Sequence, residues 1–137
     1  MSLTEREREY LASQRLGRLA TVDAHGAPQN NPVGVFYNGE TGTVDIGGHN
    51  LAGSRKYRNV LANEHVALVV DDLVSTRPWQ VRGVEIRGRA EALTDQEPPG
   101  PGFSRELIRI HPTQVFSWGI DPEHPGMRKR LIGATTT

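Results

Sequence analysis

The connections between the first strand candidates constrain most strongly how this chain of 137 residues can fold. The run from Leu16 to Val22 is typical of a strand, and the turn residues Asp23 to Gly26 lead into a second run from Gln29 to Tyr37. A third candidate, Thr43 to Gly47, follows after an equally short connection. Because connections of hairpin length forbid parallel pairing, the sequence excludes a doubly wound α/β fold.

Three further strand candidates extend this antiparallel pattern. They are the apolar run from His65 to Asp72, the long alternating segment from Trp79 to Leu93 and a last strand from Gln114 to Ile120. In the hairpin before them, Asn38-Gly39 is the favoured type I′ turn, and Thr41-Gly42 is a competing turn point. Six short strands at turn-rich spacing predict a mainly β protein, a six-stranded antiparallel barrel.

Helix signals occur at three places outside these strands. Thr4 is placed to cap a first helix, and Ser54 is placed to cap a second, which ends near Asn63-Glu64. A third helix is predicted from Ser104 to Ile110, where the following Pro112 ends it. The sequence thus predicts three short helices around the barrel.

Length and charge narrow the function classes. The chain has the size of one domain, with a core over residues 11–120 and a C-terminal tail over 121–137. Sixteen cations balance 16 anions, which argues against a nucleic-acid or membrane partner. The chain has no cysteine, its histidines show no metal-ligand spacing, and no catalytic set of side chains is recognisable. If the protein is an enzyme, its reactive chemistry would therefore come from a bound cofactor. The polar N-terminus, which lacks the apolar core of a signal peptide, predicts a cytoplasmic protein.

A basic cluster, defined here as Arg55, Lys56 and Arg58, opens the second predicted helix. A helix N-terminus carries about half a positive charge, so cations in its first turn are unfavourably placed. No acidic residue occurs between Ile46 and Asn63 to compensate them along the chain. Two interpretations stay open. The cluster, the Ser54 hydroxyl and the first-turn amides form a phosphate site, or the cluster is a solvated face paired with distant carboxylates.

The same stretch carries a resemblance to a known family. Gly53-Ser54-Arg55-Lys56 resembles the phosphate-binding Ser-Arg-Lys of the pyridoxamine 5′-phosphate oxidase superfamily, the flavin-binding split barrels. Pro78-Trp79 followed by Arg82 to Glu91 resembles the long strand of that superfamily. Leu19 to Val22 and Gly26 to Gln29 resemble its first hairpin. The resemblance implies a split-barrel fold.

Three other segments are most similar to the short members that use the deazaflavin coenzyme F420. These segments are Lys56 to Val60, Val66 to Asp71 and Ser117-Trp118-Gly119. The resemblance implies that the second strand runs beneath the cofactor ring and that two polar residues precede the phosphate site. It also implies that Gly83 replaces a ring-contacting glutamine of the oxidases and leaves room for a different ring or substrate. The implied cofactor-binding residues are Asn31, Pro32, Val33, Gly34, Val35, His49, Asn50, Ser54, Arg55, Lys56, Arg58 and Gly83.

The resemblance also implies a function. It predicts an oxidoreductase in which reduced F420 delivers hydride to a small organic substrate, and a homodimer with the cofactor at the subunit interface. An FMN-dependent enzyme similar to the vitamin oxidases is one alternative. A non-catalytic protein that binds flavin, deazaflavin or haem on the same scaffold is another, because one fold hosts many functions. The basic tail from Arg128 to Arg130 would extend the anionic site if it reaches the cofactor from the partner.

Overall fold

A computed structural model describes residues 3–132 and shows one strongly curled antiparallel sheet with two helices. No helix in this part of the chain has the length and apolarity needed to cross a membrane. The helices are α1 (Glu5–Gln14) and α2 (Arg55–Ala62), and a short 3₁₀ turn (Leu51–Gly53) precedes α2. The strands are β1 (Leu16–Val22), β2 (Pro28–Gly34), β3 (Phe36–Asn38), β4 (Thr43–Ile46), β5 (His65–Thr76), β6 (Trp79–Leu93), β7 (Leu107–Trp118) and β8 (Arg128–Leu131).

The order of the strands closes the sheet into a barrel. Neighbours pair in the order β2-β1-β5-β6-β7-β4-β3, and β8 pairs with β7 beside this path. The two end strands, β2 and β3, are separated in the chain by Val35 alone, so the sheet must curl until its ends meet. The predicted split-barrel class is confirmed. The predicted number of six strands is wrong, because Val35 interrupts the second strand and the tail adds β8.

The interruption at Val35 has a local cause. The amide of Val35 donates to the carbonyl of Arg15 at 2.9 Å, so it bonds to the connection between α1 and β1 instead of a neighbouring strand. The side chain of Val35 still packs in the core. The second strand therefore changes partner at this residue, from β1 on one side to β4 on the other.

The core lies inside the barrel and follows the alternation of its strands. Val66, Leu68 and Val70 of β5 are buried, and Val84 and Ile86 of β6 face them. The intervening residues point outward, as period-two alternation requires. The outward residues of β6 include Glu85 and Arg87, whose side chains pair at 2.8 Å. This strand thus has one apolar face and one charged face.

The helix predicted from Ser104 to Ile110 is wrong, because this segment enters β7 at Leu107. Ile108 and Ile110 are fully buried between β4 and β6, and their β-branched side chains suit a pleated surface. Pro112 does not end the element, because it lies at a bulge where the register with β6 shifts. Proline has no amide to donate, and a bulge is where a sheet tolerates it.

The turn after β3 also differs from the prediction of an Asn38-Gly39 type I′ hairpin. Asn38 pairs with Thr43, so four residues form the loop. The amide of Gly42 donates to the carbonyl of Asn38 at 2.9 Å, and Gly42 adopts the left-handed conformation with φ +70°. The side chain of Asn38 accepts from the amide of Glu40 at 2.9 Å. The turn therefore uses Gly42 of the competing turn point Thr41-Gly42 as its glycine with positive φ, and not Gly39.

Helix α1 is held against the barrel at both of its ends. Its Thr4–Glu7 capping box is present as predicted, and Glu7 also pairs with Arg130 of β8. Tyr10 donates to Asp72 at 2.7 Å, and the same carboxylate accepts from Arg82 at 2.8 Å. The pairing of β8 with β7 shows that the tail up to residue 132 packs on the body of its own chain.

Candidate cofactor site

The predicted phosphate site lies at the start of α2. Ser54 caps the helix as predicted, because its Oγ accepts from the amide of Tyr57 at 3.3 Å. The same hydroxyl donates its proton to the carbonyl of Leu51 at 2.6 Å. Ser54 therefore fixes the angle at which the 3₁₀ turn enters α2. The amides of Arg55 and Lys56, which precede Tyr57, are left pointing out of the helix end.

Three contacts orient α2 on the barrel. The buried side chain of Asn59 donates to Thr21 of β1 at 3.0 Å and to Gln29 of β2 at 3.2 Å. The hydroxyl of Tyr57 donates to the carbonyl of Leu93, at the end of β6, at 3.0 Å. Burial of Tyr57 and the nearby charge of Glu106 raise the pKa of this phenol. The start of α2 is thus fixed between the N-terminal half of β2 and the C-terminal end of β6.

The basic cluster has no carboxylate partner within residues 3–132. The ion pairs of this part of the chain engage other cations, from Arg6 to Arg130, but not Arg55, Lys56 or Arg58. Hydrogen bonds from the amides of Ala27 and His25 are the main cause of the lowered pKa of Asp23. The positive charge of Arg55 also lowers this pKa, but only slightly. Arg55, Lys56 and Arg58 thus form no ion pair within residues 3–132 and lie at the helix start beside free backbone amides, a donor set suited to phosphate.

The second group of predicted residues lies on β2. Asn31, Pro32, Val33 and Gly34 pair with β1 from Leu19 to Leu16. Within the described residues the other edge of β2 has no strand partner, which suits its prolines, since proline is confined to sheet edges and bulges. Val33 and Val35 point into the core, while the backbone of the open edge is available to a ligand.

His49 and Asn50, the two predicted polar contacts, precede the 3₁₀ turn and are exposed. The ring of His49 is not free to turn, because its Nδ1 donates to the carbonyl of Gly102 at 2.9 Å. It also meets the ring of Phe103 edge to face, with centroids 5.1 Å apart. The loop that carries Gly102 and Phe103 therefore holds the histidine in place. Asn50 contacts Gly53, where a Cβ would lie 2.8 Å from its amide nitrogen.

Gly83 lies apart from the other predicted residues within one chain. It is ten residues from Leu93 along β6, about 30 Å of strand, whereas Leu93 contacts Tyr57 at the start of α2. The ring of Trp118 covers it, because a Cβ at Gly83 would lie 2.4 Å from that ring. The space that a glycine was expected to leave for another ring is thus filled by Trp118 of the same chain.

One feature of the site was missed by the sequence analysis. A cavity of about 950 Å³, here called the α1 cavity, lies between α1, residues 35–37 at the start of β3, and the loop over residues 99–103. Its apolar wall is formed by Val35, Phe36, Tyr37, Pro99, Pro101 and Phe103. Its polar wall comes from α1, where Arg8, Ala12 and Arg15 follow one another at helical spacing. That spacing is the sequence signal that points to a shared face.

The described residues contain no group of three or more metal-ligating side chains. The Asp45–Arg109 pair, with Nε and Oδ1 3.1 Å apart, is the most enclosed ion pair near the α1 cavity. The Asp45 carboxylate accepts hydrogen bonds from Arg109, Asn38 and Thr43. Chemistry at this site therefore depends on what the chain binds.

Comparison with known proteins identifies relatives of this chain. The family model for pyridoxamine 5′-phosphate oxidase matches residues 3–124. A 5a,11a-dehydrotetracycline/5a,11a-dehydrooxytetracycline reductase from Streptomyces rimosus is 47% identical over 136 residues, 98% of this chain and 96% of the relative. Its name as a reductase confirms the prediction of an oxidoreductase.

Two solved structures show the same fold. A protein named F420 reductase is 27% identical, with a TM-score of 0.61 over 82% of this chain and 98% of that one. HutZ from Vibrio cholerae, named as a haem storage protein, is 19% identical, with a TM-score of 0.66 over 90% of this chain and 100% of that one. At this identity HutZ shows the fold alone. The family match and the Streptomyces relative together establish that this chain belongs to the pyridoxamine 5′-phosphate oxidase family.

Proposed function

We propose that the protein is an F420-dependent reductase that adds hydride to a conjugated double bond of a fused-ring substrate similar to a dehydrotetracycline. The observation that carries the proposal is the basic cluster, which opens α2 without a carboxylate partner in residues 3–132. The name of the Streptomyces relative supports the substrate class. The structure named F420 reductase supports the cofactor.

In this proposal, α2 and β2 form the cofactor site. Lys56, Arg55 and the first-turn amides hold the phosphate. Arg58 lies three residues after Arg55, about one helical turn, and faces the anionic tail that distinguishes F420 from FMN. Ser54 positions these groups by capping the helix. The open edge of β2 offers backbone groups to the ring system. His49 and Asn50 border the phosphate site from the preceding loop.

When bound, reduced F420 supplies the hydride, and the chain binds, aligns and excludes water. In the substrate, the hydride forms a new C–H bond at the β-carbon of the enone. The π electrons of the double bond move to the conjugated oxygen, and a proton from water then completes the reduction at the α-carbon. This sequence needs no protein-borne nucleophile. It gains from a cation near the oxygen on which negative charge develops.

The proposal includes a homodimer with the cofactor at the subunit interface, as the resemblance implies. Within one chain, Gly83 lies about 30 Å along β6 from Leu93, whose carbonyl accepts from Tyr57 at the start of α2. The β5–β6 hairpin near Gly83 exposes Leu73, Trp79 and Val81, which a second copy would cover. The cytoplasmic location stays a prediction from the sequence.

The test is turnover under anaerobic conditions with chemically reduced F420 and a dehydrotetracycline. We expect substrate-dependent recovery of the absorbance of oxidised F420 together with the reduced product. The same assay with reduced FMN is the comparison, because FMN is the alternative cofactor that the resemblance implies. Turnover with FMN and oxygen but none with F420 would replace this proposal by the oxidase, and binding of either cofactor without turnover would favour the non-catalytic alternative.

A further inference from the structure

We infer that the α1 cavity binds the substrate, a flat fused-ring compound that carries an ionised oxygen, and that Arg15 recognises this oxygen. The inference rests on the proposed function for the identity of the reaction. It adds a binding site and a specificity-determining residue that the resemblance did not supply. Size, shape of the walls, charge and position each support it.

The size and walls of the α1 cavity suit a large flat ligand. Its volume of about 950 Å³ lies at the upper end of the usual range for ligand sites, roughly 300 to 1,000 Å³. Phe36 and Phe103 stand nearly perpendicular, with an interplanar angle of 78° and centroids 6.0 Å apart, and form a corner of the wall. Aromatic and proline surfaces of this kind bury fused rings without requiring specific hydrogen bonds.

The wall formed by α1 adds positive charge. Arg8 and Arg15 both line the cavity, and Glu9 is the one acidic side chain among the lining residues. Arg8 is engaged already, since its Nη1 donates to the carbonyl of Leu3 at 2.6 Å and its guanidinium lies 6.0 Å from the ring centroid of Tyr37. The guanidinium of Arg15 has no hydrogen bond or ion pair within residues 3–132.

The backbone fixes Arg15 at the edge of the cavity. This residue is the C-cap of α1 and adopts the left-handed conformation, with φ 65°. Its amide donates to Leu11 at 3.1 Å, and its carbonyl accepts from Val35 at 2.9 Å. Arg15 and Val35 are therefore fixed to each other across the cavity wall. An arginine so placed, with donors to spare, binds an anionic oxygen well.

The position joins the cavity to the candidate cofactor site. Val35 lies directly after β2, and Phe103 contacts His49, so the cavity touches both groups of predicted cofactor residues. Gln29, which contacts α2, and Val35 in the cavity wall are six residue steps apart along β2, about 20 Å of strand. A substrate in the α1 cavity thus lies beyond the end of β2 that is farther from α2. Arg15 would stabilise the negative charge that hydride addition places on the conjugated oxygen.

The experiment uses two probes of similar shape and different charge, anthraquinone-2-sulfonate and the neutral 2-(hydroxymethyl)anthraquinone, in equilibrium dialysis with the full chain. We expect the sulfonate to bind more tightly. Arg15→Gln should weaken the sulfonate about tenfold and leave the neutral probe within twofold. Ala12→Trp places a large ring in the cavity from an exposed helix position and should weaken both probes at least tenfold. Arg6→Gln, on the same helix but outside the cavity, is the matched control and should weaken neither.

Titration of the same variants with F420 separates this inference from the proposed function. We expect Ala12→Trp and Arg15→Gln to keep the F420 affinity of the wild type within threefold. Probe binding that is lost in Ala12→Trp while the wild type fails to bind F420 would uphold the cavity and reject the cofactor. Undiminished probe binding in Ala12→Trp, equal loss of both probes in Arg15→Gln, or loss of F420 binding in Ala12→Trp would overturn the inference.

Discussion

Single residues carry the central part of this account. Lys56 and its arginine neighbours open α2, and Ser54 caps it, as the sequence predicted. What the sequence could not supply is the surroundings of each residue. Gly83 was expected to leave space, but Trp118, 35 residues further along the chain, fills that space. Residue type and spacing predict local structure, whereas long-range packing decides what remains exposed.

The first prediction concerns Lys56. Replacing it by alanine removes one charge-assisted contact with phosphate, worth about 1.5 to 3 kcal/mol, so affinity for F420 should fall by about tenfold to a hundredfold. Fluorescence quenching of F420 measures this affinity. Lys56→Arg keeps the charge and should retain most of the binding. Unchanged affinity in Lys56→Ala would show that the basic cluster is a solvated face.

The second prediction concerns Tyr10 and pH. The hydrogen bond from Arg82 mainly, with that from Tyr10, holds the pKa of Asp72 below its ordinary 3.8. A lowered pKa in the folded state contributes stability above the unfolded pKa, and this stability is lost as pH falls through the folded value. Tyr10→Phe should therefore lower the free energy of unfolding by about 2 kcal/mol at neutral pH, and by less below about pH 4.

Urea unfolding at several pH values measures this difference. The matched control is Tyr37→Phe, because no hydrogen bond engages the Tyr37 hydroxyl within residues 3–132. Its cost should stay within about 0.5 kcal/mol at every pH. A Tyr10→Phe cost that does not depend on pH would mean that the hydroxyl acts through packing or through its second acceptor, the carbonyl of Arg82 at 3.2 Å, and not through the carboxylate of Asp72.

At the scale of elements, the sequence predicted those with clear periodicity and failed where pairing partners decide. β1, β6 and α2 were predicted close to their observed bounds, because alternation and capping are local signals. β5 begins at the predicted His65 but continues four residues beyond the predicted Asp72, to Thr76. β7 was mistaken in part for a helix. Its isoleucines allow either structure, and only the neighbouring strands β4 and β6 select the extended one. The break at Val35 likewise depends on Arg15, which lies outside the strand.

The third prediction tests the bulge that lets β7 continue past Pro112. A Cβ at Gly88 would lie 2.1 Å from the carbonyl oxygen of His111, and backbone cannot yield as a flexible side chain does. Gly88→Ala should therefore lower the free energy of unfolding by about 3 kcal/mol. Gly39→Ala is the control, since its nearest neighbour is an ordinary 3.8 Å away and the cost should be near zero. Denaturant unfolding of both variants decides, and equal stabilities would refute the close approach.

At the scale of the whole molecule, the fold class could be predicted from the sequence, whereas the candidate site could be predicted only in part. The barrel follows from short connections and alternating strands, and the family resemblance agrees with it. The α1 cavity depends on a helix, a strand end and a loop that are up to about 90 residues apart in the chain. The only sequence signal of this cavity is the helical spacing of Arg8, Ala12 and Arg15.

The fourth prediction concerns assembly. Light scattering should give twice 15.1 kDa, about 30 kDa, at micromolar concentration. Val81→Asp places a charge on the exposed apolar hairpin near Gly83 and should shift the protein toward the monomer while weakening F420 binding. Met127→Asp, at another exposed apolar residue outside that hairpin, should do neither. A wild-type monomer that binds F420 with full affinity would remove the shared site.

The most direct test of the central claim is a titration of the wild-type protein with F420 and with FMN at two salt concentrations. The account predicts tighter binding of F420 and a steeper loss of its affinity with salt. The reason is that the exposed cations of the basic cluster meet a longer anionic ligand and are screened over about 8 to 10 Å. Equal affinities with equal salt dependence, or a preference for FMN, would contradict it.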